Sequence, residues 1–396
     1  MLGVLANRTY RHLFLAQVVA LIGTGLATVA LGLLAFSPAG ENAGAVLGTA
    51  LAIKMIAYVG LAPVAAAFAE RVPRRAMLVA LDLARAGVAV FLPFVTEIWQ
   101  VYLLIFVLQS ASAAFTPTFQ ATIPDVLPDE AEYTRALSLS RLAYDLESLL
   151  SPMLAALLLT VISFHTLFGG TVIGFLASAA LVLSVALPSP KPTILRGIYD
   201  RTTRGIRLYL ATPRLRGLLA ISLAVAAGGA QVIVNTVVFV QAKFGMTQAD
   251  TALALAAFGA GSMTIALALP RLLDRLPDRP VMLAGASLLG LGTALAALLP
   301  TYLWLLPLWL VMGAGYSMAQ TPSGRLLRRS SAAEDRPALF AAQFALSHAC
   351  WLITYPLAGW AGARFGLSVA ALLLAIIAAG GVLAALCLWP SEEPLE

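Results

Sequence analysis

Apolar runs long enough to cross a lipid bilayer recur from one end of this chain to the other. A membrane-spanning helix needs about 20 mostly apolar residues. Hydrophobic residues make up 60% of the 396 positions and charged residues only 11%, whereas about a quarter of the residues in a soluble domain are charged. The composition therefore predicts an all-α polytopic membrane protein, and its basic net charge is assigned to membrane-facing loops and not to nucleic-acid binding.

Twelve transmembrane helices are predicted, joined by connectors of alternating character. One set of connectors is short and nearly uncharged, and the other carries most of the arginines. Because arginine-rich loops remain in the cytoplasm, we expect a multi-pass protein of the bacterial inner membrane with both termini cytoplasmic. The predicted spans are roughly 10–36, 43–69, 75–95, 98–122, 134–164, 166–188, 214–242, 248–273, 279–299, 301–328, 335–364 and 366–389.

A basic linker over residues 189–213 divides the chain into two predicted six-helix bundles, residues 1–188 and 214–396. The linker alternates basic and apolar residues between prolines, which is typical of an amphipathic helix on the inner membrane face. The halves also repeat each other. AERVPRRAML at 69–78 corresponds to LDRLPDRPVML at 273–283, with an acid, an arginine and a proline at matched positions. A parallel repeat of this kind predicts two pseudo-symmetric bundles around a central cavity.

These residues resemble the major facilitator superfamily. Its hallmark loop between the second and third spans is a Gly, three residues, Asp-Arg, one residue, a Gly and two basic residues. Here Ala66 and Pro73 stand at the two glycine positions, and the acidic and basic positions match. Because the acid recurs in both halves, we expect two gating loops that hold one conformation closed. Their residues are Glu70, Arg71, Arg74, Arg75, Asp274, Arg275 and Arg279.

A second family feature lies in span five, where superfamily antiporters carry Gly-Pro followed by small residues. This chain has Ser151 and Pro152 there, followed by two alanines. The segments LDLARAG, TPTFQATIPDVLPDE and AAFGAGS are similar to the exporter subgroup that includes enterobactin-type siderophore, macrolide and nickel exporters. The resemblance implies a secondary active exporter that works by alternating access and exchanges a small molecule for protons. The arginine that many proton antiporters place in span four is absent here.

Ionisable side chains inside the spans are costly to bury, so each is a candidate functional residue. Arg141 and Asp145 lie one helical turn apart on one face of span five and are spaced to pair. Glu147 lies nearly opposite Asp145 and has no partner on its own helix. A carboxylate in that position suits proton coupling, and Asp145 is the second candidate for this role. Lys54 in span two would neutralise either acid, as a switch or as a fixed structural partner.

Asp82 and Arg85 in span three are also spaced to pair, and we interpret them as structural or gating residues. For Arg141 and Asp145 a purely structural ion pair remains an alternative. His348 is interpreted as a core histidine or a substrate contact, and a metal site with Cys350 is disfavoured because their spacing points them to different sides of a helix. The other cavity candidates are Gln17, Thr24, Gln109, Tyr144, Gln231, Asn235 and Gln343.

The leading hypothesis is a transporter and not an enzyme, because His12 and His165 have no catalytic partner nearby in the sequence. An exporter of divalent cations such as nickel or iron, built on the same fold, is the alternative. The expected partners are a small-molecule or ion substrate, the lipid bilayer and the proton as coupling ion. We expect a monomer without a cofactor or bound metal.

Overall fold

The computed structural model describes residues 2–39, 53–65, 72–159, 161–188 and 198–390, and within these ranges the chain forms helices and no strand. The first half contains the helices α1 (Arg8–Ala39), α2 (Ile53–Ala65), α3 (Arg74–Phe91), α4 (Ile98–Val126), α5 (Glu130–Leu159) and α6 (Phe164–Leu183). Helix α7 (Ile198–Ala211) follows in the linker. The second half contains α8 (Pro213–Val237), α9 (Gln248–Leu273), α10 (Asp278–Ala296), α11 (Tyr302–Gln320), α12 (Ser323–Arg329), α13 (Arg336–Phe365) and α14 (Leu367–Leu388).

The all-α polytopic class is confirmed, because 10 of the described helices are long and apolar enough to cross a membrane. The two other predicted spans coincide with α2, which is shorter over its described residues, and with α5. Helix α5 has the length of a span, at 30 residues, and carries the ionisable residues of span five. The predicted span 301–328 is divided at Thr321 and Pro322, where α11 ends and α12 begins. Proline lacks the N–H that would continue the helix there.

Helices pack mainly within each half. In the first half α1 contacts α5 and α6, and α3 contacts α4 and α6; in the second half α8 contacts α13 and α14, and α11 contacts α9 and α10. Close approach depends on small residues, since a Cβ at Gly261 of α9 or Gly313 of α11 would overlap the backbone of the facing helix. Between the halves the main contacts join α5 to α9 and α4 to α13.

The linker helix α7 is seated on the second half. The Arg204 guanidinium donates two hydrogen bonds, of 2.7 and 2.9 Å, to the Asp335 carboxylate at the start of α13, which raises the pKa of Arg204. Tyr209 is fully buried and donates to Gln343. A Cβ at Gly205 would overlap the backbone of Ala338. The inner side of this amphipathic helix therefore packs against α13, and not against the membrane alone.

Candidate functional site

A cavity of about 640 Å³ lies between the two halves of the chain. That volume is in the range of small-molecule sites. Among the described residues, five charged side chains line the wall and all belong to the first half, whereas the second half contributes glycines, apolar side chains and one tyrosine. The charged wall residues are Lys54, Arg85, Arg141, Asp145 and Glu147, and the second-half wall consists of Gly229, Val232, Ile233, Leu255, Phe258, Gly259 and Tyr316.

Arg141 and Asp145 of α5 form an ion pair along their helix, at the spacing that the sequence predicts. The second carboxylate oxygen of Asp145, Oδ2, accepts a hydrogen bond of 2.6 Å from Ser262 of α9. The Arg141 guanidinium lies 4.7 Å from the ring centroid of Tyr316 in α11. We name these four residues the polar latch, because they join the first half to two helices of the second half inside the membrane.

Glu147 lies two residues after Asp145, on nearly the opposite face of α5, and has different neighbours. Its Oε1 would be 2.7 Å from a Cβ placed on Gly25 of α1, so the carboxylate occupies the space that this glycine leaves open. The Lys54 ammonium, which also lines the cavity, lies 5.5 Å from the ring centroid of Tyr58. Lys54 and Glu147 act on each other electrostatically, but over the described ranges neither makes an ion pair within 4.0 Å.

Asp82 and Arg85 of α3 form an ion pair inside the first half. Asp82 is fully buried and also accepts a hydrogen bond of 2.7 Å from Ser178 of α6. The Arg85 guanidinium lies between two rings, 4.0 Å from the centroid of Phe115 and 4.4 Å from that of Phe175. Arg85 therefore lines the cavity with a charge that Asp82 already neutralises.

Three of the predicted neutral residues, Gln17, Thr24 and Tyr144, line the cavity, as does Ser151. Gln17 accepts a hydrogen bond of 3.0 Å from Ser140, and the Thr24 hydroxyl donates to its own helix. Pro152 lies within α5, but its side chain is outside the described residues.

The other predicted cavity residues lie behind the wall or between helices. Gln109 accepts a hydrogen bond of 2.9 Å from the Tyr58 hydroxyl, so it supports the wall from α4. Asn235 donates a hydrogen bond to Gln231 within α8, and both side chains are buried. Gln343 joins α7 to α8 by accepting from Tyr209 and donating to Ser222. His348 packs edge-on against Tyr58 at 4.8 Å between ring centroids, and the described residues contain no metal-binding group of three or more His, Cys, Asp or Glu.

One end of the molecule is closed by ion pairs that cross between the halves, and we name it the basic end. Asp125, at the end of α4, pairs with Arg74 of α3 and with Arg336 at the start of α13. Asp125 and both guanidinium groups are largely buried. One carboxylate of the first half thus holds an arginine from each half.

A second cluster closes the basic end beside it. Glu130, at the start of α5, pairs with Arg325 at 2.7 Å and with Arg329, both on the short helix α12. Asp278 at the start of α10 is buried and pairs with the same two arginines, at 3.4 and 2.9 Å. Helix α12 therefore contacts an acid from each half.

The predicted gating loops are only partly found in this closure. Arg74 takes part in it, but Arg75 is exposed and donates to the Leu183 carbonyl within its own half. Arg279 donates to the carbonyls of Leu386 in α14 and of Trp389 just after it. Asp274 and Arg275 are exposed, and the acid at the interface is Asp278 instead, because it begins α10 and faces α12. The predicted residues Glu70 and Arg71 lie outside the described residues.

Sequence reasoning missed several residues that act across the halves. Tyr316 carries no sequence signal, and Ser262 carries only the resemblance of AAFGAGS to exporters, which does not indicate a partner. Only the fold brings the two residues to α5. Asp125 and Glu130 belong to the segment TPTFQATIPDVLPDE, whose family resemblance does not indicate their partners. Arg325 and Arg329 lie in one of the arginine-rich connectors, and their spacing of four residues puts them on one face of a helix.

Known proteins resemble this chain in sequence over part of its length. An uncharacterized MFS-type transporter, YfiS of Bacillus subtilis, is 27% identical over 122 residues, which cover 31% of this chain and 29% of that protein. Macrolide efflux protein A of Enterococcus faecalis is 25% identical over 152 residues, covering 36% of this chain and 47% of that protein. The aligned segments thus span less than half of these curated relatives.

Solved structures resemble it over nearly its whole length. The human organic anion transporter MFSD10 superposes with a TM-score of 0.80 at 13% identity, covering 96% of this chain and 99% of that chain. The E. coli fucose:proton symporter FucP gives a TM-score of 0.74 at 14% identity, covering 96% and 98%. These likenesses establish the fold. The family model described as Major Facilitator Superfamily matches residues 13–216 and 219–396, and the chain therefore belongs to that superfamily of membrane transporters.

Proposed function

We propose that this protein is a secondary active exporter of the bacterial inner membrane that exchanges a small organic molecule for protons by alternating access. The observation that carries the proposal is the placement of the cavity. It lies between the two halves, and ion pairs that cross between the halves close the molecule at the basic end. In the proposed orientation the basic end is cytoplasmic and the cavity faces outward.

The cross-half contacts are of a kind that can be broken and remade. Side-chain ion pairs join α4 and α5 to α12 and α13, and a small apolar cluster joins α2 and α4 to α13. The larger apolar clusters lie mainly within one half. Rocking of one half against the other would break the pairs at the basic end and leave both cores intact. We propose that residues 1–188 and 214–396 are the two moving bodies.

Proton coupling is assigned to Glu147. Asp145, the second candidate, is engaged by Arg141 and by Ser262, which suits a residue that stabilises one conformation. Glu147 lines the cavity beside Lys54, and the described residues give it no ion pair of that kind. A carboxylate that is not held by a cation is free to exchange a proton with water in the cavity.

The direction of transport rests on likeness to exporters. The macrolide efflux proteins match over part of the chain, and the Ser151-Pro152 stretch of α5 resembles the antiporter motif of the superfamily. A cavity of about 640 Å³ also suits an organic molecule better than a bare ion. We therefore propose an organic substrate.

A susceptibility screen tests the function first. The gene is expressed in a strain that lacks its major efflux systems, and growth is measured with organic drugs, siderophores, and salts of Ni, Co and Fe. We expect protection against one class of organic compound. Protection against metal salts alone would contradict the organic substrate and favour the divalent-cation alternative.

The coupling is tested with purified protein in liposomes that carry an internal pH-sensitive dye. We expect substrate flux to be driven by a proton gradient and to move protons in the opposite direction. Glu147→Gln should abolish the proton flux, whereas Glu132→Gln, on the same helix but outside the cavity wall, should leave it unchanged. Equal proton flux in both variants would remove Glu147 as the proton carrier.

A further inference from the structure

The cavity wall is chemically two-sided. Its charged residues come from the first half, and the facing wall is formed by side chains of the second half such as Val232, Ile233 and Phe258. A molecule that fills this space meets charge on one side and apolar surface on the other. The complementary ligand is therefore an amphiphile, with its charged group toward α5 and its apolar body against α8 and α9.

The sign of that charged group follows from the pairing of the wall residues. Arg85 is neutralised by Asp82, and Arg141 by Asp145. Glu147 and Lys54 are the two charged wall residues that remain without an ion pair within 4.0 Å among the described residues. A ligand charge must therefore be matched by one of these two.

The positive charge of Lys54 already has a favourable contact. Its ammonium lies 5.5 Å from the ring centroid of Tyr58, a geometry in which an aromatic ring attracts a cation. Among the described residues no ion pair or cation–ring contact holds the Glu147 carboxylate, whose Oε1 lies beside Gly25 of α1. Of the charged wall groups, the Glu147 carboxylate would therefore be stabilised most by an opposite charge on a ligand.

The rings of the cavity favour the same sign. Arg85 lies on Phe115 and Arg141 on Tyr316, and Tyr144 and Phe258 also line the wall. Aromatic faces attract cations and repel anions. A cation beside Glu147 gains from both the carboxylate and the rings, whereas an anion on Lys54 would lie close to a second negative charge.

We infer that the substrate is an amphiphilic organic cation, which pairs with Glu147 and places its apolar body against the second-half wall, and that Lys54 competes with it as an internal cation. The inference deepens the proposed function, because it takes this cavity as the transport site. It assigns Glu147 a direct contact with the cation, and it gives Lys54 an inhibitory role that a structural partner would not have.

Two hydrophobic ions of equal size and shape and opposite charge test the sign. Binding of tetraphenylphosphonium and of tetraphenylborate to the full-length purified protein is measured in detergent with ion-selective electrodes, with protein-free micelles as background. We expect tetraphenylphosphonium to bind and tetraphenylborate to bind weakly or not at all. Preferential binding of tetraphenylborate would overturn the inference.

Substitutions of the two charges then give opposite results. Glu147→Gln should weaken tetraphenylphosphonium binding by about tenfold or more, since a charged contact is lost. Lys54→Met should strengthen it by several-fold, because the competing charge is removed, whereas Lys54→Arg should keep the affinity of the unaltered protein. A Lys54→Met variant that binds the cation more weakly would contradict the inference, and thermal unfolding in detergent verifies that each variant is folded.

A matched pair of substitutions tests the contribution of the apolar wall. Phe258→Ala should weaken binding, and Leu267→Ala, exposed on the same helix α9, should not.

Failure of the inference and failure of the proposed function would give different results. Proton-driven export of neutral or anionic compounds without tetraphenylphosphonium binding would overturn only the substrate class. Tetraphenylphosphonium binding without any proton-driven flux would overturn the antiport and leave the binding site in place.

Discussion

The carboxylate of Asp145 in α5 and the hydroxyl of Ser262 in α9 are joined by a hydrogen bond of 2.6 Å between buried atoms of the two halves. The same carboxylate is held by Arg141 on its own helix. This hydrogen bond differs from the ion pairs of the basic end, because it lies at the cavity wall inside the membrane. The two halves are therefore connected both at the cavity wall and at the basic end.

Removal of the Ser262 hydroxyl should shift the protein toward conformations that are open at the basic end. A hydrogen bond to a charged group contributes about 1.5–3 kcal/mol, so Ser262→Ala should raise the open population by one to two orders of magnitude. Spin labels on Val72 and Leu276, exposed residues in the two matched connectors, report the opening as a longer distance.

Thr264→Val is the matched control for this change. Its hydroxyl donates to the carbonyl of Ala260 in its own helix and is exposed, so no cross-half contact is lost. An unchanged distance distribution in Ser262→Ala would show that the hydroxyl does not stabilise the closed basic end.

Loss of the Asp125 charge should open the basic end more strongly. Asp125→Asn removes the carboxylate that pairs with the largely buried Arg74 and Arg336, and removing one partner of a buried pair costs about 3–5 kcal/mol. The same spin labels should show a dominant longer distance. Arg207→Gln removes an exposed ion pair of the linker and should have no effect, since exposed pairs contribute little. Equal distances in both variants would contradict a closing role for Asp125.

Gly25 should tolerate no side chain. A Cβ there would overlap Ser151 and lie 2.7 Å from Glu147 Oε1, and overpacking of this kind costs about 1–3 kcal/mol. Gly25→Ala should therefore lower the thermal unfolding temperature in detergent, and a second substitution, Ser151→Gly, should restore part of it. Gly87→Ala, with no atom within 4 Å of the added Cβ, should be neutral or stabilising. A stable Gly25→Ala variant would mean that α1 and α5 are further apart.

Docking of the linker helix should depend on Gly205. Gly205→Ala would force α7 away from Ala338 and expose the peptide bonds after Arg204 and Arg207 to trypsin. We expect faster limited proteolysis at these sites than in the unaltered protein. Leu210→Ala, at an exposed position of α7, is the control and should be cleaved at the original rate. A resistant Gly205→Ala variant would argue against tight docking on α13.

The sequence predicts the helices better than it predicts the contacts between them. Spans follow from hydropathy because each helix must satisfy its own backbone in a membrane, and Arg141 and Asp145 follow from the spacing within one helix. Ser262 reaches Asp145 only through the packing of α5 on α9, a relation between positions 117 residues apart. No periodicity within a span encodes that relation.

The acid that the second half contributes to the basic end shows the same limit. The repeat aligns Asp274 with Glu70, so the match between the halves favours Asp274. The structure turns the chain at Pro277 into α10, which exposes Asp274 and buries Asp278 against two arginines. Position relative to a helix start, and not the sequence match, decides which acid meets the interface.

The short helix α12 has a consequence for how the basic end opens. Arg325 and Arg329 are four residues apart on one rigid turn, and both hold Glu130 from the other half. Separation of the halves must therefore release both arginines in one step, while Asp278, on their own side, continues to pair with them. Opening should accordingly be cooperative, with few partly open molecules and a steep response to whatever drives it.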